Sequence, residues 1–192
     1  VAGVNNAYFG YDAGALNTSG KLNTSIGYAA LRGVTNGSMN TAVGDSALYG
    51  ATSGSQNTAV GRGALRSNTA SGNTALGSQA LANNTTGSGN NAFGSAAMFT
   101  NTTGSNNLAF GSSALYSNTT GGNNAAIGLN ALYSNTTGTY NLAIGRNSLY
   151  TNSTGANNIA VGYNALQLNT TGNYNNASGF QSMQNNTTGS NN

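Results

Sequence analysis

Apolar and polar positions recur along this chain in a unit of 17 residues, present eleven times. A glycine anchors each unit: Gly10, Gly27, Gly44, Gly61, Gly77, Gly94, Gly111, Gly128, Gly145, Gly162 and Gly179, with one shortened interval of 16 between Gly61 and Gly77. The residue before the glycine is apolar in ten units, as at Phe110, Ile127 and Ile144. Two before it stands Ala in nine units, and four before it Asn in all eleven. Such period-two alternation predicts a short strand. The apolar residue and the one two earlier share one face, and the Ala takes the other. Glycine ends the strand, through positive φ or close approach of another backbone. A second apolar point follows four residues after the glycine in ten units, from Leu31 to Met183, usually preceded by Ala. It reads as a second strand, with a single helical turn as the alternative. Asn-Thr-Thr-Gly then supplies corner chemistry.

A unit this short cannot bury its own apolar face, so it must stack on its neighbours. The expected fold is all-β: a parallel β-roll or β-solenoid with a 17-residue turn, one repeat array spanning 1–192. Turns about 4.8 Å apart give a rod on the order of 50 Å long. The two large apolar positions are the expected core. The small Ala face is expected to admit another chain, which predicts intertwined or side-by-side copies. The Asn column, including Asn107, Asn124, Asn141 and Asn158, is expected to form a structural amide ladder between turns. Because the pattern is already running at both ends, the chain is expected to be an excerpt of a longer fibre.

Composition narrows the chemistry. Only 4% of residues are charged, against about a quarter in typical globular chains, yet the strict period argues for order. There is no His and no Cys, and the only acids are Asp12 and Asp45. Paired-carboxylate and Ser-His-Asp catalysis are therefore excluded. No recurring Asp suits a calcium-binding roll, and no glycine-rich phosphate fingerprint has its context. The expectation is a non-enzyme with no catalytic residue, cofactor or metal. The net charge of +3 comes from Lys21, Arg32, Arg62, Arg66 and Arg146, too thin a basic surface for nucleic acid. No apolar run approaches the ~20 residues of a membrane span, and no signal peptide is visible.

The stretches Asn-Asn-Leu-Ala-Phe-Gly at 106–111, Asn-Leu-Ala-Ile-Gly at 141–145 and Asn-Ile-Ala-Val-Gly at 158–162 resemble the head repeats of trimeric surface adhesins. The longer Asn-Thr-Ala-Val-Gly, Ala-Leu, Asn-Thr-Thr-Gly form is similar to repeats of phage tail fibres. This resemblance covers almost the whole chain. It implies a left-handed parallel β-roll in a homotrimeric, extracellular attachment fibre, at a cell surface or on a virion. The period of 17 is longer than the usual adhesin-head turn, and the stalk, anchor and self-cleaving chaperone module of such families are not among these residues.

Several side-chain columns are candidates for contact. Phe99, Tyr116, Tyr133 and Tyr150 each lie five residues past an anchor glycine on consecutive turns, as a platform for sugar faces or as an inter-chain or stabilising ladder. Tyr11, Tyr28 and Tyr163 read as exposed corners. Asn84, Asn101, Asn118, Asn135, Asn152, Asn169 and Asn186 each open an N-x-[ST] sequon, and so are candidate glycosylation sites. Thr102, Thr119, Thr136 and Thr170 form a row that could match an ice lattice. The leading reading is a structural and adhesive fibre whose partners are further copies of itself and surface glycans. Its alternatives are a filament polymerising end to end and a monomeric ice- or glycan-binding solenoid.

Overall fold

The computed structural model describes residues 4–192. These form a parallel β-solenoid in which each turn contributes one strand of three residues. Strands β1 (Ala7–Phe9), β2 (Thr24–Ile26), β3 (Thr41–Val43), β4 (Thr58–Val60), β5 (Thr74–Leu76) and β6 (Asn91–Phe93) are followed by five more. These are β7 (Leu108–Phe110), β8 (Ala125–Ile127), β9 (Leu142–Ile144), β10 (Ile159–Val161) and β11 (Asn176–Ser178). They make a single eleven-stranded sheet in chain order. Equivalent positions of the repeat pair directly, as in Ala109↔Ala126 and Phe110↔Ile127, so every column of the sequence becomes a column along the rod. The described residues contain no helix.

The inside and outside of the strand are the reverse of the sequence expectation. The central Ala of the strand, such as Ala109, Ala126 and Ala143, is fully buried. The large apolar residue after it faces outward, and Phe110 is 57% exposed. The coil is too narrow for both. Its interior already holds one Leu or Met per turn, a second Ala and two Asn side chains, as with Leu115, Ala114, Asn107 and Asn118. What remains opposite the strand is room for a methyl group.

The expected second strand is also absent, and its replacement explains how consecutive residues can both face inward. After the glycine the backbone alternates between left- and right-handed residues, with φ of 54° at Ser113 and 52° at Leu115. A strand sends successive side chains to opposite faces, whereas this alternation buries both Ala114 and Leu115. Hydrogen bonding between turns continues throughout. The Leu115 N–H donates to the Ala131 carbonyl at 2.9 Å, and the Ser113 N–H to the Ser95 carbonyl at 3.0 Å. A left-handed leucine is costly, at about 1–3 kcal/mol, and is held by full burial and a paired N–H in each turn from Leu31 to Leu166.

Two departures from the repeat are absorbed locally. In the first turn Tyr8 occupies the Ala column and Gly14 the Leu column. A Cβ on Gly14 would lie 2.5 Å from the Tyr8 ring, so the ring takes the space that a leucine fills elsewhere. In the shortened turn, Ala70 stands where other turns have glycine, and its carbonyl accepts from Asn57 Nδ2 at 2.9 Å and Asn68 Nδ2 at 2.7 Å. The missing residue thus comes out of the corner, and Thr58↔Thr74 pair without a register slip.

Candidate functional site

The outer face of the sheet carries a row of apolar side chains that runs from turn to turn. Two residues of each strand point outward, and in four consecutive strands both are apolar: Leu108 and Phe110, Ala125 and Ile127, Leu142 and Ile144, Ile159 and Val161. In β2 to β5 the same face alternates Thr with an aliphatic residue, from Thr24 and Ile26 to Thr74 and Leu76. Phe93 and Phe110 touch across two turns, with ring centroids 5.7 Å apart. Parallel sheets are ordinarily covered on both faces. Here one face covers the core and the other is bare.

The aromatic column is a ladder of rings packed on one another. Centroid separations are 5.4 Å for Phe99–Tyr116, 5.1 Å for Tyr116–Tyr133 and 5.2 Å for Tyr133–Tyr150, with planes within 15° of parallel. Each internal ring spends both faces on its neighbours, so the column offers edges and hydroxyls sideways. This geometry disfavours sugar stacking along its flank and leaves ring faces open only at the two ends. Tyr11 and Tyr28 stack at 5.7 Å, and Tyr163 and Phe180 at 5.4 Å, on a separate exposed column.

Two Asn ladders run inside the coil. In the first, Asn124 donates its backbone N–H to Asn107 Oδ1 at 2.9 Å, and Asn141 and Asn158 repeat the contact at 3.0 Å. Sequence reasoning singled out this column. The second ladder is made of the sequon asparagines. Asn101, Asn118, Asn135, Asn152 and Asn169 each donate Nδ2 to the Oδ1 of the preceding rung at 2.7–2.9 Å. Asn84 donates in the same way to Asn68. All six are fully buried, and each also donates to a glycine carbonyl three residues on. A glycan attaches through that nitrogen, so the folded coil presents none of the six for modification. Asn186 makes the same two bonds while partly buried. Among the described residues, no buried side-chain nitrogen or oxygen lacks a partner.

The Thr row is engaged in the same way. Thr102, Thr119 and Thr136 donate their hydroxyls to carbonyls of the next turn at 3.0–3.1 Å, and Thr170 does so to Thr187. Their protons serve turn-to-turn cohesion, which argues against an ice-matching role for this row.

The sparse charges are gathered. Asp12 pairs with Arg32, whose Nε lies 3.2 Å from its carboxylate, and that hydrogen bond raises the Arg32 pKa further. Arg32 also lies over the Tyr49 ring at 5.7 Å. Asp45, Arg62 and Arg66 line a neighbouring hollow beside Ala82 and Phe99. No single residue signals this grouping in the sequence; it follows from the period, which brings positions 12, 32, 45, 62 and 66 to adjoining turns. No helix is long and apolar enough to cross a membrane among the described residues. No protein-family model, curated protein or solved structure matches this chain.

Proposed function

We propose that this chain is a non-catalytic structural and adhesive segment of an extracellular fibre, in which copies associate in parallel through the bare outer face of the sheet. The observation that carries this reading is the unpartnered apolar face from Leu108 to Val161. A continuous exposed apolar patch marks a contact site. Its rows repeat with the strand spacing of about 4.8 Å along the whole rod. A partner that matches such a surface over many turns is another coil of the same pitch. The resemblance to adhesin heads and tail fibres supplies the number three and the location at a cell surface or virion. Internal cohesion without any Cys suits a rod held by amide and backbone ladders rather than by disulfides.

Light scattering over a concentration series tests the reading. Three chains of 19.0 kDa give a fixed mass of about 57 kDa, and Ile127→Asp with Ile144→Asp should reduce it to one chain. A wild-type mass of one chain at all concentrations refutes association. Mass that climbs steadily with concentration supports the end-to-end filament instead.

A further inference from the structure

The column that carries the stacked rings has a gap. Counting five past the anchor glycines from Gly44 to Gly145, it reads Tyr49, Arg66, Ala82, Phe99, Tyr116, Tyr133, Tyr150. Phe99 stacks on Tyr116 on one side, while on its other side the column position is only the methyl of Ala82. Beyond Ala82 stands the guanidinium-bearing Arg66. Arg66 and Phe99 are two turns apart, about 10 Å along the rod, and the ring between them is missing. The resulting hollow measures about 160 Å³ and is lined by Arg66, Phe99 and the nearly buried Ala82. An enclosed apolar cavity of about 150 Å³ holds benzene, so this hollow is on the scale of a single six-membered ring.

From this geometry we infer that the hollow binds a single acidic pyranose residue of a polysaccharide, its ring inserted between Phe99 and Arg66 as the absent rung of the ladder. The open face of Phe99 takes the apolar face of the sugar. Arg66 and Arg62 supply forked donors for its carboxylate. Asp45, Gln79 and Asn83, which also line the hollow, meet its hydroxyls, a set of acceptors and donors that a plain aromatic acid would leave unused. The charge placement is independent support. The chain has only seven charged residues, two acidic and five basic. Asp45, Arg62 and Arg66 line this hollow, and Asp12, Arg32 and again Arg66 line an adjoining one of about 390 Å³. Five of the seven therefore line two hollows that share Ser46 and Arg66, the second with room for a neighbouring sugar unit. The inference gives the adhesive half of the proposed function its ligand class and does not depend on how many chains associate.

Calorimetric titration of the full 192-residue chain with trigalacturonate tests it, with maltotriose and benzoate as controls and the solution mass read on the same samples. Trigalacturonate should bind at least about tenfold more tightly than either control. Ala82→Tyr, which completes the stack, should weaken that binding at least about tenfold while leaving the melting temperature unchanged or higher. Arg66→Gln should cost about tenfold through loss of a charged hydrogen-bond donor. Should Ala82→Tyr fail to fold, Phe99→Leu keeps the apolar volume, removes the flat face, and must weaken binding likewise. Undetectable trigalacturonate binding, equal affinity for maltotriose, preference for benzoate, or binding indifferent to Ala82→Tyr or Phe99→Leu overturns the inference. Loss of binding with a three-chain mass would sink the notch alone, and retained binding by a one-chain species would sink the fibre reading alone.

Discussion

Asn107 and Asn118 meet on a single oxygen, each donating its side-chain Nδ2 to the Gly121 carbonyl from 2.9 Å. One ladder arrives from the strand side of the coil and the other from the corner, and the glycine carbonyl ties them together on each turn from Gly87 to Gly189. Two amide columns in the core do what a larger apolar core does in thicker folds. They fix register, because a slip by one residue would leave buried amides without partners.

Removing one rung therefore costs more than its own bonds. Asn118→Ala deprives Asn101 Oδ1 and Asn135 Nδ2 of a partner and takes one donor from Gly121. Each buried group left unsatisfied costs about 1–3 kcal/mol. Chemical denaturation should show a loss of at least about 2 kcal/mol. A loss under about 0.5 kcal/mol would mean that the ladder carries no stability.

Neighbouring residues of one strand should respond oppositely to charge. Ala126→Asp puts an unpaired carboxylate into a fully buried position and should prevent folding, since burying a lone charge is strongly unfavourable. Ile127→Asp directs its charge outward and should keep the far-ultraviolet circular dichroism of the parent. Matching spectra from the two variants would refute the inside–outside assignment.

The left-handed leucine predicts an unusual glycine tolerance. Leu132, at φ 53°, should lose about 2–5 kcal/mol on truncation to Ala through the cavity left behind. In regular structure glycine is worse than alanine by about 0.5–1 kcal/mol. At this φ only glycine escapes the steric cost, so Leu132→Gly should be no less stable than Leu132→Ala in thermal denaturation. The ordinary order, with glycine clearly worse, would contradict the backbone conformation.

The anchor glycine should accept no side chain. Gly128 has φ 134°, and a Cβ there would lie 2.7 Å from the Gly145 carbonyl group of the next turn. Gly128→Ala combines backbone strain with a clash against main chain and should cost more than about 2 kcal/mol. A melting temperature within two or three degrees of the parent would show that the turns can spread apart here.

Acid should do little to this protein. There is no His, and among the described residues the single ion pair is Asp12–Arg32, with both side chains more than a third exposed. Solvent screens an exposed pair of this kind, so melting temperatures at pH 3 and pH 7 should agree within about two or three degrees. A larger loss on acidification would require a carboxylate with a structural role that Asp12 and Asp45 do not show.

The sequence by itself determined the architecture. A fixed period of 17, one strand-like alternation per unit and an Asn in every copy are enough for a parallel coil of stacked turns, because a unit that small has no other way to bury its apolar atoms. It also held a clue to orientation that hydrophobicity obscured. Ala is constant in size at its position from Ala42 to Ala177, while the next residue ranges over Val, Leu, Ile, Phe and Ser. Constant size marks a position packed on all sides, and varied size marks one that is free. Tertiary structure alone decided that the coil is narrow, and this reversed the faces of the strand. The same narrowness made a left-handed run replace the second strand, since only that backbone buries Ala114 and Leu115 together. It also drew the sequon asparagines inside, where the missing apolar volume left amide ladders as the means of holding one turn to the next.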